Sequence, residues 1–136
     1  MKIIKNPTKE AIDFLTEMLN IPELNAYSQD WECEAADSSR IKDFVEFYEN
    51  KSLTDIEKYT LMSLIINSCN DAIPDGNFDN GLWHRVESLL SADKNICTNI
   101  IDYWACGEDD LEDSYDITPY IRKWKITNYN SNFALE

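Results

Sequence analysis

Apolar residues recur along this chain three and four positions apart, the period of an α-helix with one face turned to a core. Ala11, Ile12, Leu15, Met18 and Leu19 trace the first such stripe. Asn6 followed by Pro7 supplies an N-cap and a first-turn proline, and Ile21-Pro22 stops the run, so the pattern predicts a helix over about 7–20. Residues 22–36 show no period and predict a long loop that carries Tyr27 and Trp31. Asp37, Ser38 or Ser39 can cap a second helix, in which Ile41, Phe44, Val45 and Tyr48 lie opposite Lys42, Glu46 and Glu49 and which ends near Asn50.

Thr54 and Glu57 have the spacing of a capping box, the firmest helix start in the chain. The run that follows, 55–73, is apolar on several sides through Ile56, Tyr59, Leu61, Met62, Leu64, Ile65, Ile66, Cys69 and Ile73. A helix of that kind belongs at the centre of a bundle. Pro74-Asp75-Gly76-Asn77 reads as a turn, and Asp79 or Asn80 caps a fourth helix presenting Leu82, Trp83, Val86, Leu89 and Leu90. Ser91 or Asp93 opens a fifth with Ile96, Cys97, Ile100, Ile101 and Trp104 buried, and Gly107 sits where a left-handed cap belongs. Thr118-Pro119 starts a short helix to about Lys125, and 126–136, rich in Asn and Ser, reads as an irregular tail. The prediction is all-α: one compact domain of about five to six helices around a central one.

Composition adds little to the fold and much to the choice of partner. The chain has 136 residues, 43% of them hydrophobic, enough for one core, so disorder is excluded as a class. Against 12 Lys and Arg stand 26 Asp and Glu, a net charge of −14. Such a polyanion repels nucleic acid and anionic lipid, which leaves a cationic protein as the natural partner. No stretch near Met1 has the apolar run of a signal peptide and none is long enough to span a bilayer, so a cytoplasmic location is expected. Cys33, Cys69, Cys97 and Cys106 lack zinc or CxxC spacing and are read as free, mostly buried thiols.

Candidate chemistry is sparse. His84, the single histidine, has no nucleophile signature around it and reads as a partly exposed helical residue. The stretch 75–81 offers oxygen ligands at the first, third and fifth positions of a calcium loop, but Asn80 stands where glycine is required and Val86 where the bidentate glutamate belongs. A turn plus a helix cap is the plainer account. No glycine-rich phosphate loop and no basic patch interleaved with aromatics is present. No catalytic residue, cofactor or metal ligand is assigned, and the chain is not expected to be an enzyme.

The negative charge is unevenly placed. Residues 1–9 carry +3 and 117–136 carry +2, so the middle holds −19. Its densest part is Glu108-Asp109-Asp110-Leu111-Glu112-Asp113-Ser114-Tyr115-Asp116, six acids in nine residues. A solvated loop that aids solubility is the bland account of such a run. Leu111 and Tyr115 shift the balance, because an apolar body among acids suits a docking surface. Asp30-Trp31-Glu32-Cys33-Glu34 repeats the pairing. The candidate partner-binding residues are therefore Glu108, Asp109, Asp110, Glu112, Asp113, Tyr115 and Asp116, with Asp30, Trp31, Glu32 and Glu34. Trp31 fits a core position as well as an anchor.

From residue 53 to 122 the order is Leu53-Thr54-Asp55, Glu57-Lys58-Tyr59, Leu61-Met62-Ser63-Leu64-Ile65-Ile66, Leu82-Trp83 with Leu89-Leu90, Ile101-Asp102-Tyr103-Trp104, then Ile117-Thr118-Pro119 and Arg122. This half of the chain resembles small acidic bacterial immunity proteins, of the contact-dependent growth inhibition or polymorphic-toxin type, encoded beside the toxins they neutralise. The resemblance implies an inhibitor that binds the C-terminal toxin domain of a bacterial effector in the producing cell, commonly a nuclease with a cationic cleft. It carries over no binding residue; the acidic positions come from the charge pattern alone. The alternative is an acidic DNA mimic or other module that occupies a DNA-binding protein, which would space its carboxylates along a long face. A metal-dependent enzyme built on clustered acids is a third reading.

Overall fold

The computed structural model describes residues 3–22 and 30–130. It is all-helical, a compact arrangement of α1 (Lys9–Met18), α2 (Trp31–Glu34), α3 (Ile41–Asn50), α4 (Asp55–Asp75), α5 (Asn80–Ala92), α6 (Thr98–Ala105) and α7 (Thr118–Lys125). A 3₁₀ turn at Leu111–Asp113 and a π-helical turn at Ile126–Asn130 complete the described part. No helix among the described residues is long and apolar enough to cross a membrane.

The central helix is α4. Thr54 Oγ1 accepts from the Glu57 N–H (3.3 Å) while Glu57 Oε1 accepts from the Thr54 N–H (2.9 Å), the reciprocal cap expected from the sequence. Tyr59 to Cys69 is buried at every position, because α1, α2, α3 and α6 all pack against it. Replacing Thr54 with Ala is expected to cost about 1 kcal/mol, read as a lower urea midpoint at unchanged slope. Polar groups inside α4 serve to dock loops: Ser68 Oγ accepts from the Asp37 N–H (3.0 Å) and Asn70 Oδ1 from the Ile117 N–H (3.0 Å).

Several boundaries differ from the sequence reading. The first helix starts at Lys9, capped by Thr8, whose hydroxyl accepts from the Ala11 N–H, and not by Asn6. The expected loop 22–36 contains α2, a turn whose one buried side chain, Trp31, draws it onto α4; residues 23–29, with Tyr27, lie outside the described residues. Asp37 does not cap α3: its carboxylate closes a turn onto the Ser39 N–H and hydroxyl, and α3 begins after Arg40 without a side-chain cap. The central helix runs two residues past its expected end. Pro74 falls in the last turn, where its fixed φ suits a helix, and Gly76 (φ 78°) terminates it with the Asn77 N–H bonded to the Ala72 carbonyl.

The fifth predicted helix begins later than expected, at Thr98. Asp93 is engaged elsewhere, accepting from the Tyr48 hydroxyl (2.8 Å) and the Lys58 ammonium (3.3 Å), and Ser91 donates back to the Glu87 carbonyl. The left-handed cap falls on Cys106 (φ 59°), one residue before Gly107, which is left-handed too. The first part of the expected tail is ordered as the π-helical turn, with Asn128 bridging Ser91 of α5 and the Trp124 carbonyl; 131–136 lie outside the described residues. All four cysteines are free, but only Cys69 and Cys97 are buried; Cys33 is exposed and Cys106 half-buried. Burial pushes the thiols of Cys69 and Cys97 up to about 12, so both are inert at neutral pH.

Candidate functional site

The acidic run lies between α6 and α7 and is held through its main chain. Thr118, fully buried, donates its hydroxyl to the Trp104 carbonyl (2.8 Å) and accepts from the Tyr115 N–H (3.1 Å). Arg122 donates Nε to the Ala105 carbonyl (2.8 Å) and Nη2 to the Asp109 carbonyl (2.7 Å). Its guanidinium thereby closes the C-terminus of α6, where carbonyls lack helical partners. Ser114 donates its hydroxyl to the Asp110 carbonyl across the 3₁₀ turn. The segment is thus a built loop.

Its side chains face outward. Glu108, Asp109, Asp110, Glu112, Asp113 and Asp116 are all exposed, and among the described residues none of them forms an ion pair. One carboxylate oxygen from each of Asp110, Glu112 and Asp113 lies within 4.8 Å of the others. Such a trio repels itself and is relieved by any cation, a metal ion or a basic side chain. Apolar surface is interspersed: Leu111 is 55% exposed, Tyr115 39% and Tyr103 58%. The Tyr103 and Tyr115 rings stack at 5.7 Å with their hydroxyls 2.8 Å apart, and Trp104 packs beneath Tyr115 at 4.6 Å. That hydroxyl contact, with burial second, pushes the Tyr103 phenol up to about 12.

The second predicted segment divides. Trp31 is 5% exposed and belongs to the core, which corrects its place among the candidate partner-binding residues. Its apolar ring is worth more against α4 than in water. Asp30, Glu32 and Glu34 stay at the surface around it, Glu32 half-buried. The structure brings Asp30 and Glu32 to the same groove as Tyr115, about 590 Å³ in volume. Its floor is α4, through Tyr59, Asn67, Asn70 and Asp71; its far wall is α6, through Asn99, Tyr103 and Trp104. At one end Tyr59 donates to the Lys5 carbonyl (2.9 Å) and accepts from Asn99 Nδ2 (3.0 Å), fixing the chain before α1. Glu34 and the carboxylates of 108–116 are not among the residues lining it.

Sequence reasoning missed Asp71, Tyr103 and Asn99. Tyr103 had a signal: it is an aromatic off the buried stripe of its helix, flanked by Asp102, and such a residue has no core to enter. Burial holds the Glu32 carboxyl above its ordinary range, with Asp30 adding to the effect; burial and Asp75 raise Asp71. A raised folded-state value means stability is greatest when the group is protonated and falls as pH rises through the ordinary carboxylate value towards the folded one. Glu32→Gln is therefore expected to stabilise the chain at pH 7 relative to pH 4, seen as a melting-temperature difference that grows across that interval.

Elsewhere the acids do structural work. Asp79 Oδ1 caps α5 on the Leu82 N–H (2.8 Å) and Asp75 accepts from the Ser38 hydroxyl, so the calcium-like stretch is a helix end followed by a helix cap. His84 is exposed on α5 with Glu87 at 2.9 Å. No protein-family model, curated protein or solved structure matches the chain.

Proposed function

We propose that this chain is an immunity-type inhibitor that neutralises a cationic toxin domain, a nuclease, by stoichiometric binding through its acidic face and without chemistry of its own. One observation carries the reading: six exposed carboxylates that form no ion pair among the described residues, mounted on a loop fixed by α7, with Leu111, Tyr103 and Tyr115 exposed among them. Charge of this kind steers a basic partner during encounter, and the apolar bodies give it contact area once docked. A nuclease cleft must be cationic to hold phosphate, and carboxylates placed at its mouth compete for the same groups. The close packing of Asp110, Glu112 and Asp113 favours a compact docking patch over a DNA-like ladder of charge.

The test is titration of the chain into a nuclease assay of the basic C-terminal toxin domain that this reading expects in a neighbouring gene. Activity should fall linearly to zero at one equivalent, with binding that weakens as salt rises. Undiminished activity at excess chain overturns the proposal.

A further inference from the structure

The geometry points to the groove between α2, α4 and α6 as a receptor for one arginine side chain of the cationic partner, its guanidinium lying against Tyr103 and Tyr115 beside Glu32 and Asp71. The inference rests on the proposed function and deepens it, by assigning a specific anchor point next to a surface that otherwise acts through its field.

The volume, about 590 Å³, is that of an ordinary ligand cleft and exceeds what a long side chain needs. The lining is charged one way: Asp30, Glu32 and Asp71 against Lys5, whose carbonyl is pinned by Tyr59 and Asn99 while its side chain is exposed. Glu32 is half-buried at this surface while Asp71 is exposed beside Asp75, and a cation entering the groove offsets both the lost solvent of the one and the like charge beside the other. Tyr103, 58% exposed, and Tyr115 line the same groove, stacked on each other, and an exposed aromatic ring attracts cations. Carboxylates and exposed aromatic rings lining one groove select for a flat cation that can stack and donate in its own plane. Guanidinium does both; ammonium, compact and strongly hydrated, does neither as well.

The experiment compares pentaarginine amide with pentalysine amide, equal in charge, by amide chemical-shift titration of the full chain at fixed ionic strength. The arginine peptide should bind about 5-fold tighter, with shifts at Tyr103, Tyr115 and Asn99. The preference should vanish in Glu32→Gln/Asp71→Asn and in Tyr103→Ala, with folding of each checked by circular dichroism. It should survive, at lower overall affinity, when Glu108, Asp109, Asp110, Glu112 and Asp113 are neutralised. Equal affinity for the two peptides, no binding of either, shifts confined to 108–113, or a preference that outlasts both groove variants would each overturn the groove assignment. The toxin titration decides the broader reading independently, since a partner held by the acidic loop alone inhibits whether or not the groove is filled.

Discussion

Converting Glu108, Asp109, Asp110, Glu112 and Asp113 together to Gln and Asn is expected to slow association with the proposed cationic partner by about 10- to 1000-fold at low salt. The same change should flatten the dependence of the rate on ionic strength. The five side chains are exposed and form no ion pairs among the described residues, and the loop that carries them is bound by its main chain to Thr118 and Arg122. The fold should therefore be untouched, with an unchanged helical spectrum and an unchanged or higher melting temperature as self-repulsion is relieved. Stopped-flow mixing with the proposed toxin partner at several salt concentrations reads both quantities. An unaltered rate and slope would place the steering surface elsewhere.

The largest loss of stability is expected from Trp31→Ala, about 3–5 kcal/mol, a large share of the 5–15 kcal/mol that holds a typical domain together. Trp31 is the sole buried side chain of α2, and α2 has four residues, too few to persist without the packing that pulls it onto α4. Guanidinium unfolding should show the lower midpoint. The groove should suffer with it, because Asp30 and Glu32 ride on this turn, so the arginine preference ought to weaken as well. A variant of near-native stability would mean that the ring sits outside the core.

How much was legible in the sequence depended on whether the signal was local. The capping box at Thr54, the start of α7 at Thr118 and the cap of α5 at Asp79 were all visible, because each involves groups within three residues of one another. Two failures have a cause of the opposite kind. Asp93 looked like a cap until Tyr48 and Lys58, distant in the chain, claimed its oxygens, and α2 forms because α4 offers Trp31 a place to go. Asp37 is the exception, taken up by a competing turn onto Ser39 two residues away. At the candidate site the acidic run was plain from composition, whereas its junction with Asp30 and Glu32 was not. Asp71 illustrates this: on a helix of mostly buried residues it gave no sign that its carboxylate would line a groove with residues from two other elements.

The way the loop 108–116 is fastened has an evolutionary corollary. Arg122 and Thr118 grip the Asp109 carbonyl and the Tyr115 N–H, groups that every residue but proline possesses, so this part of the fastening places little demand on which amino acids carry the exposed carboxylates. Mutation can rewrite the outward-pointing letters while the frame beneath keeps its shape; under the proposed function, recognition can follow a changing toxin with little toll on folding.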